Sequence, residues 1–312
     1  MTDNNIATLI FSKNRPLQLD LLLNSFYLNC LQPNNTDIYI VYTYDKKYKE
    51  SYNQLIQEQK EKERSNIEFI DEKGYISFDS SFAPRLLNKK YEYIMFLVDD
   101  NIFTNKFDLS QIKSLLEHNL DAVGFSLRLG KNTKNCYPLK KEQEIPKAIG
   151  HNYVINFSSM YDLMNKGFLP EFDFRVFAFD WTKSQLDFSY ALEVSSSIYR
   201  IKDLFFLLRD LKYRNPNELE AQLYANLHYF YGKPKLLSYY KSVAFCAPMN
   251  KVQNVAVNNR SNNMDMFSQE SMLTMYERGF RINPIKFDRF VSNGCHQEVA
   301  LYTMEEFEKY AL

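Results

Sequence analysis

The stretch Tyr-Ile-Met-Phe-Leu-Val at residues 93–98, followed directly by Asp99, Asp100 and Asn101, decides the fold. An apolar and aromatic run without a polar interruption is typical of a strand buried on both faces, as in a parallel sheet covered by helices. The polar residues that follow end the strand. In open α/β sheets ligands bind at the carboxyl ends of strands, so Asp99 and Asp100 stand where a ligand is expected.

Around this strand, short apolar runs alternate with helical patterns, which predicts an α/β fold with a mainly parallel, Rossmann-like sheet flanked by helices. The predicted strands are residues 6–11, 38–43, 67–70, 93–98 and 122–127. The predicted helices are residues 16–31, 50–64, 78–89 and 109–118. In the first helix the apolar residues share one stripe, while the second is rich in lysine and glutamate and is expected to be solvated.

The second half of the chain has a different pattern. Residues 130–146 are polar, contain Lys131, Lys134, Lys140 and Lys141, and show little periodicity, which predicts a loop or linker. Beyond them the pattern is mixed and more helical. We predict a strand-like segment at 188–192 and helices at 201–213 and 218–231, the last preceded by a capping arrangement at Asn215 and Pro216. The chain is thus expected to form two portions, residues 1–130 and 131–312, packed as one continuous unit.

Composition excludes several classes of protein. Lysine plus arginine number 38 and aspartate plus glutamate number 38, so no global basic field favours nucleic acid as a partner. The four cysteines are far apart and form no Cys-x-x-Cys pair, which indicates free thiols in a reducing compartment and predicts a cytoplasmic protein. No apolar run approaches the roughly 20 residues needed to cross a bilayer, although peripheral membrane contact remains open.

The adjacent carboxylates Asp99 and Asp100 have two interpretations. Like charges this close repel each other unless a cation or hydrogen-bond donors lie between them, and an oxygen-rich site of this kind suits Mg²⁺ or Mn²⁺ bridging a diphosphate. The alternative is that the pair only caps the following turn, where Asp and Asn are favoured.

The first strand-to-helix junction, Phe-Ser-Lys-Asn-Arg-Pro at residues 11–16, supports an anion site, because the free N–H groups and dipole of a helix start favour negative charge. The junction lacks the glycines of a dinucleotide or P-loop fingerprint, which argues against a Rossmann dehydrogenase and a Walker-type NTPase. Asp45, at the end of the second strand, is placed to accept hydrogen bonds from a base or ribose, or is a simple turn residue.

These motifs together resemble a known family. Ala-Thr-Leu-Ile-Phe-Ser-Lys-Asn-Arg-Pro at residues 7–16 is similar to the opening of family 2-like glycosyltransferases of the GT-A fold. Phe-Ala-Pro-Arg-Leu-Leu at residues 82–87, leading into the strand that ends on Asp99, resembles the arginine-bearing helix and acidic, DXD-like motif of that superfamily. The resemblance covers about residues 6–130.

The resemblance implies a bound UDP- or GDP-sugar and a divalent metal, Mn²⁺ or Mg²⁺. Residues 1–130 are expected to bind this donor, and residues 131–312 to bind the acceptor and supply the catalytic residues. The residues it assigns to the donor are Phe11, Ser12, Arg15, Asp45, Arg85, Asp99 and Asp100. The third motif position departs from the family pattern, because it is Asn101. The metal carboxylate is therefore expected to be Asp100.

Inverting members of the superfamily use a carboxylate to deprotonate the acceptor hydroxyl. We take Glu220 as the first candidate, in the first turn of a helix, with Glu193 and Asp180 as further candidates; an ordinary acid at a helix start is the alternative for Glu220. A third metal ligand from a histidine is less favoured than a surface or core role, because His151, His228 and His296 are isolated from one another along the sequence.

The expected function is transfer of a sugar from a nucleotide-diphosphate sugar to a saccharide or lipid-linked acceptor, as in polysaccharide biosynthesis. Two alternatives stay open. One is a sugar-phosphate nucleotidyltransferase, although the first loop lacks the glycine-rich, basic stretch expected to hold a triphosphate. The other is a non-catalytic carbohydrate-binding protein on the same fold, which the substitution at Asn101 would permit.

Overall fold

A central sheet organises the structure, a computed structural model that describes residues 5–88, 91–149, 173–250 and 265–311. In the described part of the chain this sheet has eight strands: β1 (Ile6–Lys13), β2 (Thr36–Thr43), β3 (Ile67–Asp71), β4 (Tyr93–Val98), β6 (Ala122–Ser126), β9 (Val176–Asp180), β10 (Ser197–Arg200) and β11 (Lys235–Tyr239). Their order in the sheet is β3-β2-β1-β4-β10-β6-β11-β9. The same residues form two short ribbons outside it: β5 (Asn101–Phe103) with β12 (Ala244–Cys246), and β7 (Asn135–Cys136) with β8 (Lys141–Glu142).

Helices cover both faces of the sheet. The described helices are α1 (Pro16–Asn29), α2 (Lys49–Glu61), α3 (Phe78–Asn88), α4 (Leu109–His118), α5 (Ile201–Asp210), α6 (Pro216–Ala225), α7 (Gln269–Glu277) and α8 (Met304–Ala311). None of these helices is long and apolar enough to cross a membrane.

The sheet is mainly parallel, as predicted. Strand β1 pairs in parallel with β2 and β4, so that Leu9 lies between Tyr39 and Phe96. Strand β10 lies between β4 and β6 and runs antiparallel to both, and β9 forms an antiparallel edge next to β11. Strands from both sides of residue 130 therefore share one sheet, while the assignment of separate donor and acceptor roles to the two portions stays a prediction.

Side chains alternate between two cores because successive residues of a strand point to opposite faces. Ile6 and Ile10 of β1 belong to the larger core, which also includes α1 and α4. Leu9 and Phe11 belong to the second core, with α3, α5 and α6. Phe11 packs there with its ring centroid 5.4 Å from that of Phe78.

Three sequence-based expectations need correction. The helix α1 is buried on nearly all sides and not along a single stripe, because it lies between the sheet and elements from the C-terminal region such as α7. Residues 188–192 are not a strand; a 3₁₀ turn, Leu186–Ser189, occupies the start of this segment instead. Residues 130–146 are not only a linker, since they contain the ribbon β7–β8.

The carboxyl ends of β1, β2, β4, β6 and β11 meet at one edge of the sheet, as parallel strands require. We call it the carboxyl edge. The segment before β10 also reaches this edge, because β10 is antiparallel and Ser197 lies opposite Phe96 near the end of β4. The end of β9 lies at the other edge, since Asp180 pairs with Lys235 at the start of β11.

A glycine permits the insertion of β10. A Cβ atom added to Gly124 in β6 would stand 2.6 Å from Cδ1 of Tyr199 and 2.9 Å from the carbonyl oxygen of Ile198, both in β10. Tyr199 is fully buried and its hydroxyl donates to the backbone oxygen of Glu193 at 2.9 Å, so the ring has little freedom to move aside.

We expect Gly124→Ala to lower the free energy of unfolding by about 1–3 kcal/mol, because the added methyl group overpacks the contact between β6 and β10. The matched control is Gly232→Ala, where a Cβ meets no atom within 4 Å. The control should stay within about 0.5 kcal/mol of the wild type. Urea unfolding monitored by circular dichroism measures both, and equal stability of the two variants would contradict this packing.

Candidate functional site

Arg15 lies at the centre of the carboxyl edge. Strand β1 ends at Lys13, Asn14 takes a left-handed backbone conformation with φ of 56°, and Arg15 then caps α1 directly before Pro16. Asn tolerates this conformation better than most residues do, and proline is favoured at the first helical position. This tight turn directs the guanidinium of Arg15 toward the end of β4.

The guanidinium bridges the acidic pair. Nη1 of Arg15 donates to Oδ1 of Asp99 at 2.9 Å and to Oδ2 of Asp100 at 3.2 Å. The other oxygen of Asp99 accepts the backbone N–H of Lys13 at 3.0 Å. We call Arg15, Asp99, Asp100 and Asn250 the acidic-pair site. Its one guanidinium offsets the repulsion between two nearly buried carboxylates.

The two carboxylates differ in accessibility. The side chain of Asp99 is 5% exposed and both of its oxygens accept hydrogen bonds, whereas that of Asp100 is 17% exposed. Burial, opposed by the charge of Arg15 and reinforced by that of Asp99, raises the pKa of Asp100 to about 6. Asp100 is therefore the acid that has both an accessible face and a reason to take up another cation.

Asn101 has a structural role. Its side chain is fully buried, its Oδ1 accepts the backbone N–H of Val98 at 2.8 Å, and its Nδ2 donates to Sγ of Cys246 at 3.1 Å. The amide thus closes the turn after β4 and ties it to β12. An aspartate at this position could not donate to the thiol, which gives a physical reason for the departure from the acidic motif.

The fourth member of the acidic-pair site comes from far along the chain. Asn250 accepts from Nε of Arg15 at 2.9 Å through Oδ1, and its backbone oxygen accepts from Nη2. Its own amide donates to the backbone oxygen of Phe267 at 3.2 Å. These contacts hold the guanidinium in one orientation.

The remaining residues of the first loop lie beside the pair. Ser12 and Tyr52 share a hydrogen bond of 2.7 Å between their hydroxyls. Asn14 and Asp45 form a reciprocal pair, in which Nδ2 of Asn14 donates to Oδ2 of Asp45 and the backbone N–H of Asp45 donates to Oδ1 of Asn14, both at 2.8 Å. This pair holds the end of β1 against the end of β2.

A second polar group lies under the segment before β10. Nη1 of Arg128 donates to Oγ of Ser195 at 2.7 Å, and Nη2 lies 3.7 Å from Oε2 of Glu193. That carboxylate also accepts from Oγ of Ser195 at 2.6 Å and from the hydroxyl of Ser197. We call Arg128, Glu193, Ser195 and Glu220 the Arg128 cluster.

Glu220 of α6 completes this cluster. Its Oε2 lies 3.5 Å from the backbone N–H of Val194, and it pairs with the hydroxyl of Tyr190. Burial and the charge of Glu193 raise the pKa of Glu220, while Arg128 opposes the shift. Glu220 thus holds a proton more readily than an ordinary glutamate. Both carboxylate oxygens of Glu193 accept hydrogen bonds from serine hydroxyls.

Cys246 links the two groups. It bonds Asn101 next to the acidic pair, and burial followed by the negative charge of Asp100 raises the pKa of its thiol. The thiol also lies near Arg128 and interacts with Ser195. The acidic-pair site and the Arg128 cluster are therefore neighbours at the carboxyl edge.

The structure does not bring every predicted residue to this edge. Phe11 is 3% exposed and packs in the second core, because its position in β1 faces α3. Arg85 is turned toward β3, where its Nε donates to Oε1 of Glu68 at 2.7 Å. Asp180 lies at the opposite edge, since β9 runs antiparallel, and its Oδ1 caps the next turn at Thr182.

Sequence reasoning missed Arg128, Asn250 and Tyr52. Arg128 stands between Leu127 and Leu129 at the end of a predicted strand, and a charge inside an apolar run was a usable signal. Asn250 carried no comparable signal, because its role depends on a contact 235 positions away in the sequence.

The metal ligands that the acidic-pair site can supply fit a divalent cation held through one carboxylate, that of Asp100. Within the described residues, no group of three or more His, Cys, Asp or Glu side chains forms a complete metal site. Mg²⁺ is commonly held by one or two carboxylates together with substrate phosphates, and Asp100 supplies one such oxygen ligand. His296 is neutral, since burial and then Arg128 lower its pKa to about 3. His151 lies outside the described residues.

Comparison with known proteins points to the same class. No protein-family model matches the chain. In sequence it is similar to a glycosyltransferase, which confirms the general class of the resemblance drawn from its motifs. That relative is the bifunctional glycosyltransferase pgtA of Dictyostelium discoideum, 25% identical over 286 residues. The match covers 81% of this chain and 33% of pgtA, so the chain spans about a third of the relative's length.

Solved structures give weaker similarities. TarS of S. aureus is matched with a TM-score of 0.46 and 14% identity, over 88% of this chain and 44% of TarS. TarS 1–349 in complex with UDP-GlcNAc gives 0.44 and 12%, over 88% and 71% of the two chains. The mannosyltransferase PcManGT of Pyrobaculum calidifontis, in complex with GDP-Man and Mn²⁺, gives 0.31 and 9%, over 43% and 41%.

We expect that replacing Asp100 or Asp99 by asparagine changes the free energy of unfolding in opposite directions. The folded-state pKa of Asp100 lies above its ordinary value of 3.8, so the ionised carboxylate is penalised in the folded state. This penalty is absent at pH values below 3.8 and complete above about 6. Without metal, Asp100→Asn should therefore raise the free energy of unfolding by about 1 kcal/mol near pH ~7.5, and by less near pH ~4.5.

Asp99→Asn should lower the free energy of unfolding by about 1–3 kcal/mol, because Arg15 and the N–H of Lys13 lose a charged acceptor. Urea unfolding in the presence of EDTA measures both variants. Equal destabilisation by the two substitutions would contradict the distinction between the saturated and the accessible carboxylate.

Proposed function

We propose that this chain is a glycosyltransferase that moves a sugar from a UDP- or GDP-sugar to a saccharide or lipid-linked acceptor. The observation that carries the proposal is the acidic-pair site, where Arg15 and the accessible carboxylate of Asp100 stand together at the carboxyl edge. Ligands of open α/β sheets bind at this edge. The sequence similarity to pgtA supports the choice of glycosyl transfer.

The donor would bind across the ends of β1, β2 and β4. The Asn14–Asp45 pair and Ser12 offer carboxylate, amide and hydroxyl groups to the nucleoside. Arg15 supplies a cation for the diphosphate, and its contacts with Asn250 keep it oriented before the donor arrives. A preorganised cation stabilises charge that develops on the leaving diphosphate. Arg85, bound to Glu68, is left with a structural role in this proposal.

Asp100 would hold the divalent metal, Mn²⁺ or Mg²⁺, through its accessible face. When bound, the metal neutralises the departing diphosphate. Asp99 keeps its bonds to Arg15 and to the N–H of Lys13, so it positions the first loop.

Glu220 is the proposed general base, because a carboxylate with a raised pKa accepts a proton from a hydroxyl more readily. Glu193 is fully engaged by Ser195, Ser197 and Arg128, so it is assigned to holding the cluster together. Asp180, at the other edge, is assigned no part in the reaction.

The proposal extends to the two portions of the chain and to the compartment in which the protein acts. Residues 1–130 would supply the donor contacts and residues 131–312 the acceptor contacts. The buried free thiols Cys30, Cys136, Cys246 and Cys295 support a reducing compartment such as the cytoplasm. Peripheral contact with a membrane would accompany a lipid-linked acceptor.

The direct test is calorimetry with UDP, GDP and their sugar derivatives in the presence of Mn²⁺. Asp100→Ala should reduce the Mn²⁺-dependent part of the affinity by about 10-fold or more, because the metal loses its proposed carboxylate ligand. The matched control is Asp121→Ala, which removes a carboxylate at the opposite edge, next to Lys235. Metal-dependent affinity that survives in Asp100→Ala would remove the central claim.

Glu220→Gln should leave donor affinity unchanged and reduce kcat for transfer by about 10²–10⁴-fold, since loss of general base catalysis acts on the chemical step. Transfer to an acceptor is followed by release of UDP or GDP. A fully active Glu220→Gln would discard this residue as the base. Release of pyrophosphate from a nucleoside triphosphate would instead favour a nucleotidyltransferase, and no turnover with any donor would favour a binding protein.

A further inference from the structure

A basic groove opens at the carboxyl edge, beyond the acidic-pair site. It has a volume of about 450 Å³ and is formed where β6 and β11 end and β9 begins. The described residues that line it are Lys131, Asn132, Lys134, Asp173, Arg175, Tyr240, Lys241, Val291, Ser292 and Asn293. Four of these side chains are basic and one is acidic, although the whole chain has a net charge of zero.

Two of the cations in the basic groove contact the same aromatic ring. Nζ of Lys131 lies 4.2 Å from the ring centroid of Tyr240, and the guanidinium carbon of Arg175 lies 4.6 Å from the same centroid. The backbone N–H of Lys131 also donates to the backbone oxygen of Tyr240 at 2.8 Å. The ring of Tyr240 thus attracts two positive charges by cation–π interaction.

The acidic residue of the groove does not balance this charge. Asp173 forms a two-point pair with Arg175, with both hydrogen bonds at 2.7 Å, and its pKa is lowered by Arg175 first and also by Lys241. One carboxylate is therefore shared by two cations, while Lys131 and Lys134 add further positive charge. A concave surface lined by one sign of charge attracts ligands of the opposite sign.

The basic groove lies near the proposed binding site of the donor. Strands β6 and β11 are two and three positions from β4 along the sheet. Neighbouring strands lie about 4.8 Å apart, so the groove is roughly 10–14 Å from the end of β4 and Asp100. The Arg128 cluster lies between them, because Glu193 and Ser195 directly precede β10, which stands between β4 and β6 in the sheet.

We propose that the basic groove binds a phosphate group on the acceptor, so that a phosphate-bearing saccharide extends from the groove past the Arg128 cluster to the donor. The acceptor role rests on the proposed function, whereas binding of the phosphate itself does not. The phosphate would be contacted by Lys131, Lys134 and Lys241, with Arg175 held in place by Asp173.

The test compares glucose 6-phosphate with glucose by calorimetry at low ionic strength. Saturating UDP and Mn²⁺ are present so that the donor site is filled. Wild-type protein should bind glucose 6-phosphate and not glucose. The double variant Lys131→Gln/Lys241→Gln should bind it about fivefold more weakly or worse, because two charges next to the phosphate are removed.

The matched control is Lys60→Gln/Lys202→Gln, which removes the same charge at exposed positions on α2 and α5. Equal weakening in the two double variants, or none in either, would overturn the proposal. UDP affinity should be the same in all three proteins. If none of the three proteins bound UDP, the proposed function would be contradicted. The groove would then be tested by the binding of glucose 6-phosphate alone.

The phosphate could belong to a lipid-linked acceptor or to a soluble one. Co-sedimentation with vesicles of phosphatidylcholine, with and without phosphatidylglycerol, distinguishes these two sources. Vesicle binding that Lys131→Gln/Lys241→Gln abolishes would assign the phosphate to a lipid-linked acceptor. Vesicle binding that is absent, or the same in all proteins, together with weaker glucose 6-phosphate binding in this variant, would assign it to a soluble one.

Discussion

The carboxyl edge depends on one electrostatic constraint, the need to hold two adjacent carboxylates away from water. Asp99 and Asp100 can stand side by side with little exposure because a buried guanidinium lies between them. That guanidinium is itself costly to bury, and it is positioned by the turn at Asn14 and by two contacts with Asn250. The turn after β1, the end of β4 and the segment after β12 are thereby fixed to one another.

This constraint leaves one acid satisfied and the other available. Asp99 accepts from both Arg15 and the backbone of Lys13, while Asp100 keeps an exposed face and a raised pKa. A site in this condition gains from a second cation, which is the physical basis for proposing a metal and a diphosphate there. Asn101, buried against Cys246, closes the turn that carries Asp100.

The strand order sets out the rest of the edge. The acidic-pair site stands at β1 and β4, the Arg128 cluster at β10 and β6, and the basic groove at β6, β11 and β9. Because β10 runs antiparallel, it brings Glu193 to the same edge from the second half of the chain. Donor, base and acceptor phosphate would then lie in line, with neighbouring sites one or two strand widths apart.

Local pattern in the sequence determined β1 to β4, α1 to α4 and the placement of Asp99 and Asp100, because apolar runs and strand ends follow from nearest-neighbour chemistry. Only the tertiary structure decided that Asn250 orients Arg15 and that Arg128 joins Glu193 to Glu220. It also decided that Asp180 lies at the edge opposite the carboxyl edge. Those outcomes depend on strand order and direction, and hence on contacts between residues far apart in the chain that no local periodicity encodes.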